Sequence, residues 1–177
     1  MTDISPPPLT AQEQAWLAQE DAHVADTIRC HGVCLQIIGG GTCAVPGCGC
    51  STEGSLPFAY TIGLFGIAHP ELVVVGLRMP VLATVLNEAA SLVLDGARLL
   101  PGMEIELTRG DRRLLVEEVP NPGDIAFGAN RHYQRPREAS VPLLQLSWAD
   151  RRGRFPMDPA FSGSKRAQPR PGTWDAW

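Results

Sequence analysis

Three features are scarce at once in these 177 residues: the pattern expected of a leader segment, a long apolar run and an excess of positive charge. Met1-Thr2-Asp3-Ile4-Ser5-Pro6-Pro7-Pro8 offers neither a basic n-region nor an apolar h-region, so no secretory signal is expected. No hydrophobic stretch reaches the ~18 residues that a membrane-spanning helix needs. These absences predict a cytoplasmic protein with no membrane partner. With 15 Lys and Arg against 19 Asp and Glu, the net charge is −4. No global basic field exists to hold a phosphate backbone, which argues against nucleic acid as a partner. The one local basic run, from Arg109 to Arg113, reads as a solvated turn between strands.

The chain also lacks the motifs that announce a chemistry. Gly39-Gly40-Gly41 follows a strand pattern, but no Lys-Ser/Thr and no helix pattern come after it, so it reads as a turn and not as a phosphate cradle. The five cysteines (Cys30, Cys34, Cys43, Cys48, Cys50) contain no CxxC pair. In a reducing compartment they are free thiols or metal ligands before they are disulfides. There is no internal repeat and no alternating βα period.

What is present is the composition of an ordinary folded domain, 44% hydrophobic and 19% charged. Residues 1–9 are proline-rich and expected to lack order, 10–155 form a single domain, and 156–177 are expected to be a Pro-rich extended tail. Thr10 with Glu13 makes a capping box for a helix over 11–29, in which Trp16, Leu17, Val24 and Ile28 recur at helical spacing. Residues 33–38 read as a strand, and 41–56 as a polar loop carrying Cys43, Cys48 and Cys50. Two buried strands follow, the first over 57–64 and the second from His69 to Leu77. Pro80 suits the first turn of a second helix whose face is Leu82, Val85, Leu86, Ala89 and Val93, closed by Asp95-Gly96. Residues 104–108 and 114–119 read as a hairpin turning at Asp111-Arg112. A short helix is expected within 124–134 and a last strand over 141–148.

This order predicts an α+β fold, a mostly antiparallel sheet or a small, split-barrel-like β-barrel flanked by helices, with a six-stranded barrel the preferred form. Split barrels that bind flavins share a similar succession, which by analogy of fold makes FMN a candidate cofactor.

The candidate site residues gather at His69-Pro70-Glu71. A histidine beside a carboxylate can serve as a general base with its orienter or as two metal ligands; in the plainer reading, Glu71 caps backbone donors and His69 hydrogen-bonds within a turn. Tyr60 and Thr61 point to opposite faces of their strand, so one of them can line a pocket. The catalytic candidates are therefore His69, Glu71 and Tyr60, and the cofactor-binding candidates are Thr61 and Arg78. Cys43, Cys48 and Cys50 with His31 or Cys34 can make a tetrahedral zinc site, because thiolates suit Zn²⁺ and a polar loop has no core to hold it. A hydrolytic metal site drawing on His31, His69, Glu71 and His132 is the least supported arrangement, since no spacing requires these residues to meet.

In these same blocks the chain resembles DUF4262, a bacterial family of unknown function. The resemblance is carried by His31-Gly32, Pro57-Phe58-Ala59-Tyr60-Thr61-Ile62-Gly63-Leu64, the run from His69 to Leu77, Leu86-Asn87, Gln145-Leu146-Ser147-Trp148-Ala149-Asp150, Gly153-Arg154-Phe155-Pro156 and Gln168-Pro169. It departs from the family pattern at Ala149, where proline is usual, and at Met157, where tryptophan is usual, and its cysteine loop is longer. The resemblance implies a small bacterial domain and brings no activity with it. The reading that results is a domain binding a small molecule, with a flavin as the candidate, near His69, Pro70 and Glu71. The alternative is a non-catalytic zinc-binding or partner-interaction module built on the loop from Cys43 to Cys50. The partners to be sought are a small molecule and a second copy of the chain.

Overall fold

A computed structural model of the protein describes residues 8–39, 56–109 and 112–176. The first helix, α1 (Ala11–His31), opens on the expected capping box: the Thr10 hydroxyl accepts the Glu13 N–H at 3.3 Å and the Glu13 carboxylate accepts the Thr10 N–H at 2.7 Å. Gly32, at φ +78°, closes it in the left-handed conformation that glycine adopts without strain. Only its C-terminal half docks. Val24 is buried and Ile28 half-buried, whereas Trp16 is 58% exposed and does not face the core.

The strands are β1 (Cys34–Ile38), β2 (Phe58–Ile62), β3 (Glu71–Val75), β4 (Glu104–Leu107), β5 (Arg112–Glu118) and β6 (Leu143–Trp148), and they form one sheet in the order β1-β2-β3-β6-β5-β4. Every neighbouring pair is antiparallel except β3 and β6, which run parallel. The fold is therefore α+β with a mixed sheet, and the expected barrel does not form, since β1 and β4 end the strand order and do not pair with each other. The reason lies in the faces. Every residue of β2 and β3 is buried, so both sides of the sheet carry apolar side chains and both need a covering layer. In the open sheet each of those sides has its own covering layer.

Helix α2 (Met79–Leu94) covers one face. Its buried stripe of Leu82, Val85, Leu86, Ala89, Ala90 and Val93 shares one core with Ala59, Leu72 and Val74 of β2 and β3 and with Leu114, Val116 and Leu146 of β5 and β6. At ~2 kcal/mol per fully buried large aliphatic side chain, this stripe is the main stabilising contact of the helix. The other face, with Phe58, Tyr60, Ile62, Val73 and Val75, is covered by Val24 of α1 and by Ala129 of the short helix α3 (Phe127–His132). The C-terminal segment completes that layer. Trp174 packs edge-on to Phe58 at 5.2 Å and its indole N–H donates to the Gln145 side-chain oxygen at 3.0 Å.

The hairpin differs from expectation in one respect. Arg112 belongs to β5, paired with Leu107, and is not part of the turn. Among the described residues no helix is long and apolar enough to cross a membrane.

Candidate functional site

The chain between β2 and β3 is shaped by Thr61 and Glu71, both fully buried. The β2–β3 ladder pairs Phe58 to Tyr60 with Val75 to Val73 and then ends. Beyond it the Thr61 hydroxyl stands in for a main-chain partner, accepting the Leu72 N–H at 2.8 Å and donating to the Glu71 carboxylate at 2.6 Å. The same carboxylate accepts the N–H groups of Gly63 at 2.9 Å, Leu64 at 3.3 Å and Phe65 at 3.1 Å. It thereby satisfies the open donors of the single 3-10 turn Leu64–Ile67. Gly63 has no alternative at this bend: φ is +139°, and a Cβ would lie 2.6 Å from the Gly32 carbonyl oxygen. Burial pushes the Glu71 carboxyl up, with the Thr61 hydroxyl and the three N–H groups pulling the other way.

His69 faces elsewhere. Its Nδ1 lies 2.7 Å from the Pro70 carbonyl oxygen and its Nε2 accepts the Leu99 N–H at 3.1 Å, a pair of partners that fixes the proton on Nδ1. The imidazole thus fastens the loop after α2 to the start of β3. No hydrogen bond joins it to Glu71, so the two residues adjoin in sequence without forming a base and orienter. Tyr60 is equally committed. Its hydroxyl donates to the Gln36 side-chain oxygen and accepts the Gly128 N–H, each at 2.8 Å, and burial raises its pKa to about 12.

A cleft of about 490 Å³ opens beside His69. Leu99, Leu143 and Leu144 line its wall, and Pro70, Pro101, Pro120, Pro122 and Pro142 line its margins. The rigid prolines belong to several separate turns, gathered because β6 enters parallel to β3 and sets Pro142 next to Pro70; the Glu71 N–H donates to the Pro142 carbonyl at 2.9 Å. Arg98 and Glu118, both exposed, also line the cleft and form no ion pair among the described residues. Glu71, Tyr60 and Thr61 take no part in its lining.

The remaining candidates are scattered. Arg78 is exposed at the N-cap of α2 and lies outside the lining. His31 is exposed in the last turn of α1, where a cation would favour the helix dipole. Cys43, Cys48 and Cys50 lie outside the described residues. Among the described residues no three His, Cys, Asp or Glu side chains gather as a metal site, so His31, His69, Glu71 and His132 do not form one. Sequence reasoning missed Arg98, Glu118 and the proline margin. Its only signal for them was turn punctuation at Leu100-Pro101-Gly102 and Pro120-Asn121-Pro122, which marks loops without saying that they converge.

No curated protein and no solved structure matches the chain. The profile of a family described as "Domain of unknown function (DUF4262)" matches residues 27–162, which is most of the sequence and contains β1 to β6, α2, α3 and the whole lining of the cleft. The chain belongs to the DUF4262 family.

Proposed function

We propose that this domain binds a small molecule in the cleft beside His69. The observation that carries the reading is a concavity of about 490 Å³ with an apolar wall and two charged side chains that lack an ion-pair partner among the described residues. That volume falls within the roughly 300–1,000 Å³ of small-molecule sites, which likewise combine apolar walls with a few polar groups that fix orientation. Arg98 and Glu118 bear opposite charges, so the ligand class that suits them has an apolar body and both an acidic and a basic group, as in an apolar amino acid or a short peptide. In this reading His69 is a positioning residue that holds Leu99 in the wall. A flavin is no longer part of the reading, because the barrel on which that analogy rested is not the form the sheet takes.

Leu100 lines the cleft and is 55% exposed, so Leu100→Trp fills the mouth without disturbing the core. Screening apolar amino acids and dipeptides by ligand-observed NMR should give binders whose affinity falls about tenfold in Leu100→Trp and in Arg98→Ala. Binders unaffected by both changes, or no binder at all, would overturn the reading.

A further inference from the structure

We propose that the pocket at the opposite end of the β5–β6 pair binds a small phosphorylated ligand through Arg112 and Arg151. This pocket, of about 800 Å³, is lined by residues at the end of β4, the start of β5 and the turn after β6, among them Glu106, Arg112, Arg113, Asp150 and Arg151. It shares no residue with the cleft beside His69.

Several charges in its wall are already committed. Arg113 is paired with Glu104, donates to the Gly153 carbonyl at 3.3 Å and has its Nε 3.8 Å from Glu106. Asp150 is held by the Arg154 guanidinium at 3.0 Å, by the Ser162 hydroxyl at 2.8 Å and by the N–H groups of Arg152, Arg154 and Ser162. Arg112 and Arg151 are left with no carboxylate among the described residues. Moreover, the Nε of Arg112 is shielded from solvent and meets no acceptor among the described residues. That shielding holds the root of the Arg112 fork inside the wall, and what distinguishes this wall from an ordinary basic turn is a pocket lined by two arginines that have no carboxylate partner among the described residues.

Two guanidinium groups, one on β5 and one on the turn after β6, offer more donors than one carboxylate can accept. A phosphoryl group brings three and close to two negative charges. Guanidinium forks match its geometry in a bidentate manner. The net charge of −4 and the neighbouring Glu106 and Asp150 speak for a compact ligand and against a polynucleotide.

The test is calorimetric titration of the full chain with pyrophosphate at constant ionic strength, with succinate as a carboxylate comparator. Pyrophosphate should bind with a Kd of about 1 mM or tighter and succinate about tenfold more weakly, and Arg112→Gln and Arg151→Ala should each weaken pyrophosphate about tenfold. Arg151 is exposed and its replacement leaves packing intact, so a folding defect in the other variant does not blunt the test. Absence of pyrophosphate binding at about 10 mM, succinate binding as tightly, or undiminished affinity in Arg151→Ala would each overturn the proposal.

Discussion

The Thr61 hydroxyl donates to the Glu71 carboxylate at 2.6 Å while accepting the Leu72 N–H, so one threonine side chain closes the β2–β3 ladder and orients the acid that caps the next turn. Glu71 is buried with hydrogen bonds to both oxygens, and its removal strands the donors that it serves.

Thr61→Val should therefore cost about 1–3 kcal/mol, and Glu71→Ala about 3 kcal/mol or more, in urea unfolding. Glu71→Gln should cost less than Glu71→Ala, because the amide oxygen keeps part of the cap. Equal losses for the alanine and glutamine variants would contradict the capping role.

Glu71 also carries a pH signature. Its folded carboxyl titrates above the ordinary value of 4.5, chiefly through burial. Between those two values the folded state binds more protons than the unfolded one, so stability falls as pH rises through that window. Glu71→Gln should remove this slope. Asp150 has the opposite sign: burial opposes its ionisation, but the hydrogen bonds from Arg154, Ser162 and Arg152 prevail and hold its carboxyl well below the usual range. The stability it adds is complete above the ordinary aspartate range and is lost in strong acid, so the Tm deficit of Asp150→Asn should shrink as pH is lowered below about 4.

His69→Phe keeps the ring but removes the acceptor of the Leu99 N–H. A loss of about 1–3 kcal/mol is expected, and amide hydrogen exchange at Leu99 should accelerate more than at the α2 core. Unchanged protection at Leu99 would show that the loop holds itself.

The C-terminal segment should behave as a strap. The Gln168 amide accepts the Trp148 N–H at 2.6 Å and donates to the Trp148 carbonyl at 2.8 Å, and a Cβ on Gly76 would lie 1.5 Å from the Ala167 carbonyl oxygen. Gly76→Ala should thus lift the strap, and limited proteolysis should cut after residue 160 much faster than in the unaltered protein. Equal cleavage rates would mean that the strap is already loose.

Local patterns that need only near neighbours were readable in the sequence. The Thr10 and Glu13 box, the α2 stripe from Leu82 to Val93 and the β4–β5 hairpin all follow from spacing along one element. The parallel seating of β6 against β3 depends on residues some 70 positions apart, and no periodicity encodes it. That seating decides both that the sheet stays open and that Pro70 and Pro142 meet at one cleft. For the same reason the prominence of His69-Pro70-Glu71 was visible, whereas the division of labour within it was not. His69 turns to Leu99 and the cleft, and Glu71 turns inward to Thr61.

The central claim, that the His69 cleft is where this domain binds its ligand, is tested most directly by backbone amide NMR shifts on titration with an apolar dipeptide identified as a binder. Arg98, Leu99, Val119 and Leu143 should shift together and saturably, with α1 and the β4 edge unmoved. Shifts confined to any other surface, or none at Leu99 and Leu143, would contradict it.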